Sequence, residues 1–297
     1  MAGSSGVAAH LIVGAREEPF LDALLRSLHG AVDAVIVNDN SPGASPHADA
    51  FARSAFAGDG TLVIDRSPWV DFAHARNRCL AVHRERNAGG WAAFVDADEV
   101  HGERFAHLAA HAHAIPPNVD AVDAYTWHFF QSFDWYHSIE RRMTLFRCLP
   151  DVAWTGRVHE QLAGLGGKRV VVPYVYAHYG NVLPARRQAE KGRQYSALGA
   201  PGLIASEAQL ATIDAATFYP PEMWASPLRF TGTHPPAAAA TIAELRARDA
   251  AEFAQTERLI RAHQPPRRRI ENVMLKLNYE QRWRLRALDP LAQRLVS

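Results

Sequence analysis

The sequence predicts an α/β protein built on a mostly parallel sheet, with an antiparallel element and a helical C-terminal extension. Three observations point to it. Short β-rich runs alternate with helical patterns through the first half, which is the signature of βαβ units. Two of these runs, Ile36-Val-Asn38-Asp39 and Trp91-Ala-Ala-Phe-Val-Asp96, pass directly from apolar residues into acids, as strands do when their carboxyl ends line a cleft. Prolines then cluster after Gly199, at Pro220-Pro221, Pro227 and Pro235-Pro236, and helical patterns follow. A main domain over residues 1–200 therefore gives way to a proline-rich loop and helical extension over 201–297.

In chain order, strands are expected over 8–13, 34–38, 61–65 and 91–95. Between the first two, Phe20, Leu21, Leu24, Leu25 and Leu28 recur at helical spacing, with Pro19 near the start and Gly30 past the end. A second helix opens at Asp71, a good N-cap, and carries Phe72, Ala75, Cys79 and Leu80 on its apolar stripe. Arg76 falls on that same stripe. A His/Ala-rich helix runs from Gly102 to about Ala114, and a Pro116-Pro117 break separates it from β-like runs over 121–130, 142–148 and 169–179, at least one of them antiparallel. Residues 184–198, 238–263 and 270–288 read as helices.

With 297 residues, 48% of them hydrophobic, the chain can bury a full core. Lys plus Arg is 32 against 31 for Asp plus Glu, so there is no global field to hold a polyanion, and nucleic acid is not expected as a partner. Cys79 and Cys148 are too few to staple a domain of this size and read as reduced core thiols, which fits a cytoplasmic setting. Residues 1–14 lack the basic leader of a secretory signal, and no apolar run reaches the ~18 to 20 residues that span a bilayer. Membrane contact is thus expected only at the periphery of the inner face. The candidate is the basic tail, Arg267-Arg-Arg269 with Lys276, Arg282, Arg284 and Arg286, interleaved with Leu275, Leu277, Trp283 and Leu285.

The chemistry concentrates in a few segments. Asp96-Ala-Asp98-Glu99 ends an apolar strand, and like charges that close repel unless a cation lies between them. Asp96 and Asp98 point the same way if the segment is extended, and can then grip a hard divalent ion that also holds a pyrophosphate. Asn38-Asp39-Asn40-Ser41 can hydrogen-bond a base and a ribose. Arg76, a guanidinium on an apolar stripe, requires an anionic partner. His178 ends a strand whose alternate members are Tyr174 and Tyr176, where a neutral imidazole can complete the coordination of a metal held by Asp98. Glu160, two residues after Val158 in a segment broken by Gly156, is a candidate to deprotonate an attacking hydroxyl, the alternative being an exposed Glu paired with an Arg. The aromatic stretch from Trp127 to Tyr136 is a candidate sugar-stacking platform, and the loop from Arg229 to Pro236 a candidate lid.

These segments stand in the order seen in family 2 glycosyltransferases of the GT-A (Rossmann-like) fold, which the chain resembles over about its first 200 residues. Asn38-Asp39-Asn40-Ser41 resembles that family's Asp-Asp-Gly-Ser turn, with Asn38 and Asn40 as departures. Asp71-Phe72, Ala75-Arg76-Asn77 and Asp96-Ala-Asp98-Glu99 resemble its Asp-Phe, Ala-Arg-Asn and Asp-x-Asp-Glu segments. Trp154-Thr-Gly156-Arg-Val-His159-Glu160 and His178-Tyr179-Gly180 are similar to motifs of a bacterial branch. The resemblance implies a Mn²⁺- or Mg²⁺-dependent, inverting transferase with a nucleoside-diphosphate sugar as donor and a glycan, lipid-linked or small-molecule acceptor. In that reading Asn38, Asp39, Arg76 and Asp96 bind the donor, Asp96, Asp98 and His178 hold the metal, and Glu160 is the base. Two alternatives stand beside it: a sugar nucleotidyltransferase, which would carry a Gly-rich phosphate loop where this chain has Gly14-Ala-Arg16-Glu17-Glu18, and a non-catalytic nucleotide- or glycan-binding module.

Overall fold

A computed structural model describes residues 6–86, 90–199, 206, 210, 212–285 and 289–296. The alternating runs form strands β1 (Val7–Val13), β2 (Ala34–Asp39), β3 (Leu62–Arg66) and β4 (Trp91–Phe94), all paired in parallel. The remaining strands are β5 (Glu99–Val100), β6 (Val119–Phe130), β7 (Trp135–Arg147), β8 (Ala153–Thr155), β9 (Gln161–Ala163), β10 (Lys168–Asn181) and β11 (Leu228–Arg229). The main sheet runs β3-β2-β1-β4-β7-β6-β10-β5, with β11 on the outer part of β7. Beyond β4 it turns mixed: β7 is antiparallel to both β4 and β6, whereas β10 runs parallel to β6.

Both faces of the parallel half are covered, so its strands read as nearly continuous apolar runs. The two-residue period sorts them. Val7, Ala9, Leu11 and Val13 of β1 pack with Leu21, Leu24, Leu25 and Leu28 of α1 (Leu21–Leu28), while Ala8 and Ile36 meet Cys79 and Val82 on the other side. Leu24 and Leu28 have no exposed surface, and truncating either to Ala should cost about 2–5 kcal/mol. Two short helices, α2 (Ala48–Arg53) and α3 (Ala55–Gly58), follow β2. Then comes α4 (Phe72–Glu85), whose Asp71 accepts from the His74 N–H at 2.8 Å, a cap that contributes about 1 kcal/mol.

Past α5 (Glu103–Ala110) the long β6 and β10 carry the sheet to α6 (Ala185–Ala197), which lies over the carboxyl end of β10. The pattern expected to be one helix over 238–263 is two, Ala239–Arg248 and Ala250–His263, because Asp249 leaves helical geometry (φ −109°, ψ 27°). The C-terminal helices share the core: Ile242 and Leu245 pack with Phe20 and Tyr179, and Ala292 and Leu295 join the cluster around α1. Among the described residues no helix is long and apolar enough to cross a membrane.

Candidate active site

The carboxyl ends of β4 and β10 come together, and a network of charge joins them to α4 and β7. β4 stops at Phe94, and the next four residues turn, closed by the Glu99 N–H donating to the Asp96 carbonyl at 3.1 Å. Asp96 and Asp98 are therefore not alternate members of an extended segment, as expected, and they face different partners. Asp96 is gripped from both sides: Arg76 Nη2 donates to Oδ1 and Arg142 Nη2 to Oδ2. Burial alone would raise the Asp96 carboxyl, but the Arg142 and Arg76 guanidiniums outweigh it and hold it far below the usual carboxylate range.

Arg76 is only 2% exposed and spends every donor group, with Nη1 on the Val95 carbonyl at 3.1 Å and Nε 3.4 Å from Glu160 Oε1. Its guanidinium stacks 4.2 Å over Phe94, and that of Arg142 lies 4.5 Å from the same ring. The anion that a buried Arg76 requires is thus present within the chain. Arg142 also donates to Glu99, a fully buried acid whose other oxygen accepts from the Asp96 N–H at 3.1 Å. Burial pushes the Glu99 carboxyl up to about 8 against the pull of Arg142. One ligand atom each of Asp96, Glu99 and His178 lie within 4.8 Å of one another, but a fixed cation, Arg142, already serves the two acids.

Asp98 is different. His178 Nε2 approaches its Oδ1 to 3.3 Å and Lys191 Nζ its Oδ2 to 3.9 Å, yet neither Asp98 Oδ1 nor His178 Nδ1 has a hydrogen-bond partner, although both are buried. Burial lowers the His178 imidazole more than Asp98 raises it, so the ring is neutral at neutral pH, the form that ligates metals. Gly180 makes the close approach possible: a Cβ there would lie 2.4 Å from Asp98 Oδ2 and 2.6 Å from His178 Cε1. A buried carboxylate oxygen and a neutral imidazole, both lacking hydrogen-bond partners, form a donor set suited to a divalent cation such as Mn²⁺.

At the carboxyl end of β2, Asn38 is one layer further back than expected. It has no exposed surface, its amide donates to Asp65 Oδ2 at 2.7 Å and Ser67 Oγ at 2.9 Å, and its oxygen accepts from Asn40 at 2.9 Å. Asn38 holds the turn together. Asp39, 1% exposed, keeps one oxygen less engaged: Oδ1 accepts from the Ser41 N–H at 2.9 Å, while Oδ2 has no hydrogen-bond partner and lies 3.5 Å from Arg66 Nη1.

Glu160 reaches the network on a two-stranded flap, β8–β9, whose loop bends at Gly156 (φ 94°) and His159 (φ 53°). Asn77 fixes the flap to α4 with a reciprocal pair: its amide donates to the Trp154 carbonyl and its oxygen accepts from the Trp154 N–H, both at 2.8 Å. The aromatic stretch is mostly core, since Phe129, Phe133 and Tyr136 are no more than 1% exposed. Phe130, stacked on His137 at 3.8 Å, reaches a cleft of about 240 Å³ that Tyr195, Tyr219, Gln188 and Lys191 also line. The loop from Arg229 to Pro236 is anchored through His234, which bonds Tyr179 Oη at 2.8 Å and the Phe133 carbonyl at 3.0 Å.

Arg142, Glu99, Asp65 and Lys191 are site residues to which sequence reasoning assigned no role. Asp65 is the last residue but one of β3 and pairs in register with Asn38 of β2, so an acid near a strand end was a usable signal. It forms a forked pair with Arg78 at 2.6 and 3.0 Å.

No family profile matches the chain, and no curated protein matches it. Among solved structures it is similar to the mannosyltransferase PcManGT from Pyrobaculum calidifontis in complex with GDP-Man and Mn²⁺, with 16% identity and a TM-score of 0.42 over 96% of this chain and 87% of that one. It is also similar to GalNAc-T7 with UDP, GalNAc and Mn²⁺, with 11% identity and a TM-score of 0.38 over 58% of this chain and 43% of that one. For glucosyl-3-phosphoglycerate synthase from Mycobacterium tuberculosis the values are 17% and 0.29, over 40% of this chain and 43% of that one.

Proposed function

We propose that the chain is a metal-dependent glycosyltransferase that takes a nucleoside-diphosphate sugar and passes the sugar to an acceptor hydroxyl with inversion. The observation that carries this reading is that the buried atoms Asp98 Oδ1 and His178 Nδ1 lack hydrogen-bond partners beside an Asp96 that two guanidiniums already neutralise. Asp98 and His178 are the residues that would hold Mn²⁺ or Mg²⁺, with Asp96 joining only by exchanging a guanidinium. A divalent ion there supplies positive charge against the negative charge that builds on the leaving diphosphate. Asp39 Oδ2 is the acceptor for nucleoside hydroxyls and Lys191 lines the path of the phosphates, which Arg76 and Arg142 would reach only by exchanging one of their carboxylates.

Glu160 is the proposed base, presented by the flap and oriented by Arg76, for a single displacement at the anomeric carbon. The aromatic cleft around Phe130, Tyr195 and Tyr219 is the proposed entry for a glycan, lipid-linked or small-molecule acceptor, because sugar C–H faces pack on rings. The test is a thermal shift against a panel of nucleoside diphosphates with and without Mn²⁺, on wild type and Asp98→Asn. Wild type should gain stability from diphosphate and metal together, as mass action requires. Asp98→Asn should melt like unliganded wild type and lose the gain. A gain independent of metal, or one equal in Asp98→Asn, would refute the assignment.

A further inference from the structure

The Pro266–Leu285 helix has two contrasting sides. Its inner side is tied down: Asn272 is 6% exposed and donates to the Ala225 and Pro227 carbonyls at 3.3 Å, Arg268 donates to Ala225 O at 3.3 Å, and Lys276 Nζ lies 2.6 Å from Thr231 Oγ1. On the outer side Ile270, Val273, Met274 and Leu277 are 67%, 56%, 63% and 55% exposed. Their spacing of i, i+3, i+4 and i+7 makes them one continuous stripe. This is a different stripe from the one expected on the sequence, which named Leu275, Leu277, Trp283 and Leu285; Arg286 and the side chains of Trp283 and Leu285 lie outside the described residues.

Charge identifies the occupant. The helix holds six basic residues, Arg267, Arg268, Arg269, Lys276, Arg282 and Arg284, against Glu271 and Glu280, a net of +4 in a chain whose net charge is +1. The Arg267 side chain is 92% exposed and that of Arg284 65%. A second copy would bring two helices of net +4 together across a stripe only about two turns long, short of the ~800 Å² per partner that a stable dimer buries. An exposed apolar stripe with excess positive charge on one helix is the combination that lies in a lipid–water interface, apolar residues below the headgroups and cations among anionic ones. We propose that the outer face of this helix docks the protein on an anionic lipid surface. The same anchorage runs through Ala225 to the Pro221–Ala225 helix, whose Met223 lines the aromatic cleft, so docking would set that cleft near the membrane.

The test is cosedimentation of the full chain with phosphatidylcholine vesicles, pure or containing about a third phosphatidylglycerol. Wild type should bind the anionic vesicles at least ~10-fold more tightly than the neutral ones, and added salt should weaken that binding. Ile270→Ser/Met274→Ser should lose at least ~10-fold in binding with an unchanged melting temperature, because both side chains are already in water. Equal binding to the two lipid compositions, or wild-type binding by the double variant, overturns the proposal. So does a wild-type dimer in analytical ultracentrifugation that the double variant converts to a monomer, with no vesicle binding by either. None of these outcomes depends on the enzymatic reading.

Discussion

Removing Arg142 tests whether the site is held together by the charge network, and needs no knowledge of substrate. Arg142 forks between Asp96 and Glu99 and stacks on Phe94, and it is the only guanidinium that touches Glu99 among the described residues. Arg142→Met keeps most of the volume and leaves Glu99, fully buried, with one backbone N–H as its donor. Breaking a buried pair on one side typically costs about 3–5 kcal/mol; Arg142 and Asp96 keep 23% and 28% of their side-chain surface in water, which lowers the expectation to about 2–4 kcal/mol. Arg142→Lys should recover only part of this, because an ammonium is a point charge and cannot fork between two carboxylates. The deficit should also depend on pH. Without Arg142 the Glu99 carboxyl rises further above its unfolded value. A raised acid contributes stability at low pH and loses it as pH rises through its folded value; that value is already about 8 in the wild type, so the two proteins part above it and the deficit should be smaller near about pH 7 than near about pH 9. Urea denaturation of the three proteins across that range measures both effects. A deficit under about 1 kcal/mol, or one that shrinks as pH rises, would refute the network as described.

Glu160→Gln keeps size and reach, so it should lower kcat by roughly 10² to 10⁴ with donor affinity little changed, and product NMR should show an inverted anomer in the wild type. Normal kcat or a retained anomer would remove Glu160 from the base role. Asn77→Ala breaks two hydrogen bonds at the root of the flap and should cost about 2 kcal/mol while lowering kcat more than it raises the donor Kd, as separate stability and binding measurements would reveal. Burial pushes the Cys79 thiol up to about 12, so in a Cys148→Ser variant, which removes the half-buried second thiol, Cys79 should resist a thiol-reactive dye in the folded protein at pH ~8 and react once denatured; prompt labelling of that folded variant would contradict the place of Cys79 on α4 against β1 and β2.

The parallel half of the sheet could be read from the sequence because local pattern and tertiary role coincide there. Strands buried on both faces are short apolar runs, α1 carries a clean leucine stripe, and Asp71 caps α4 as its position suggested. Asp98, His178, Arg76 and Asp39 could be proposed from the sequence for the same reason: strand ends and a charge on an apolar stripe are local features. What local pattern could not supply is pairing. Arg142 lies 43 residues from Glu99 along the chain and reaches it only because β7 runs antiparallel to β4. The flap strands β8 and β9 are three residues each, too short for a period to register. Asn38 looked like a ligand-facing amide because nothing in the sequence reveals that Asp65 and Ser67 consume it.

The two aspartates of the Asp-x-Asp segment illustrate how a fold divides labour between like residues. Had the segment stayed extended, both carboxylates would face one space and repel until a cation entered. The turn after β4 separates them instead and gives each its own environment. Asp96 faces two guanidiniums that no change of pH near neutrality can discharge, so its charge is compensated whether or not a ligand is present. Asp98 faces a neutral imidazole and an ammonium at 3.9 Å, which leaves its compensation incomplete. Under the proposed function, a cation entering the site would therefore be drawn to Asp98, and Asp96 would position Arg76 and, through it, the Glu160 carboxylate. On this argument Asp98 governs metal affinity while Asp96 governs the geometry of the opposite wall, although only one residue separates them in the chain.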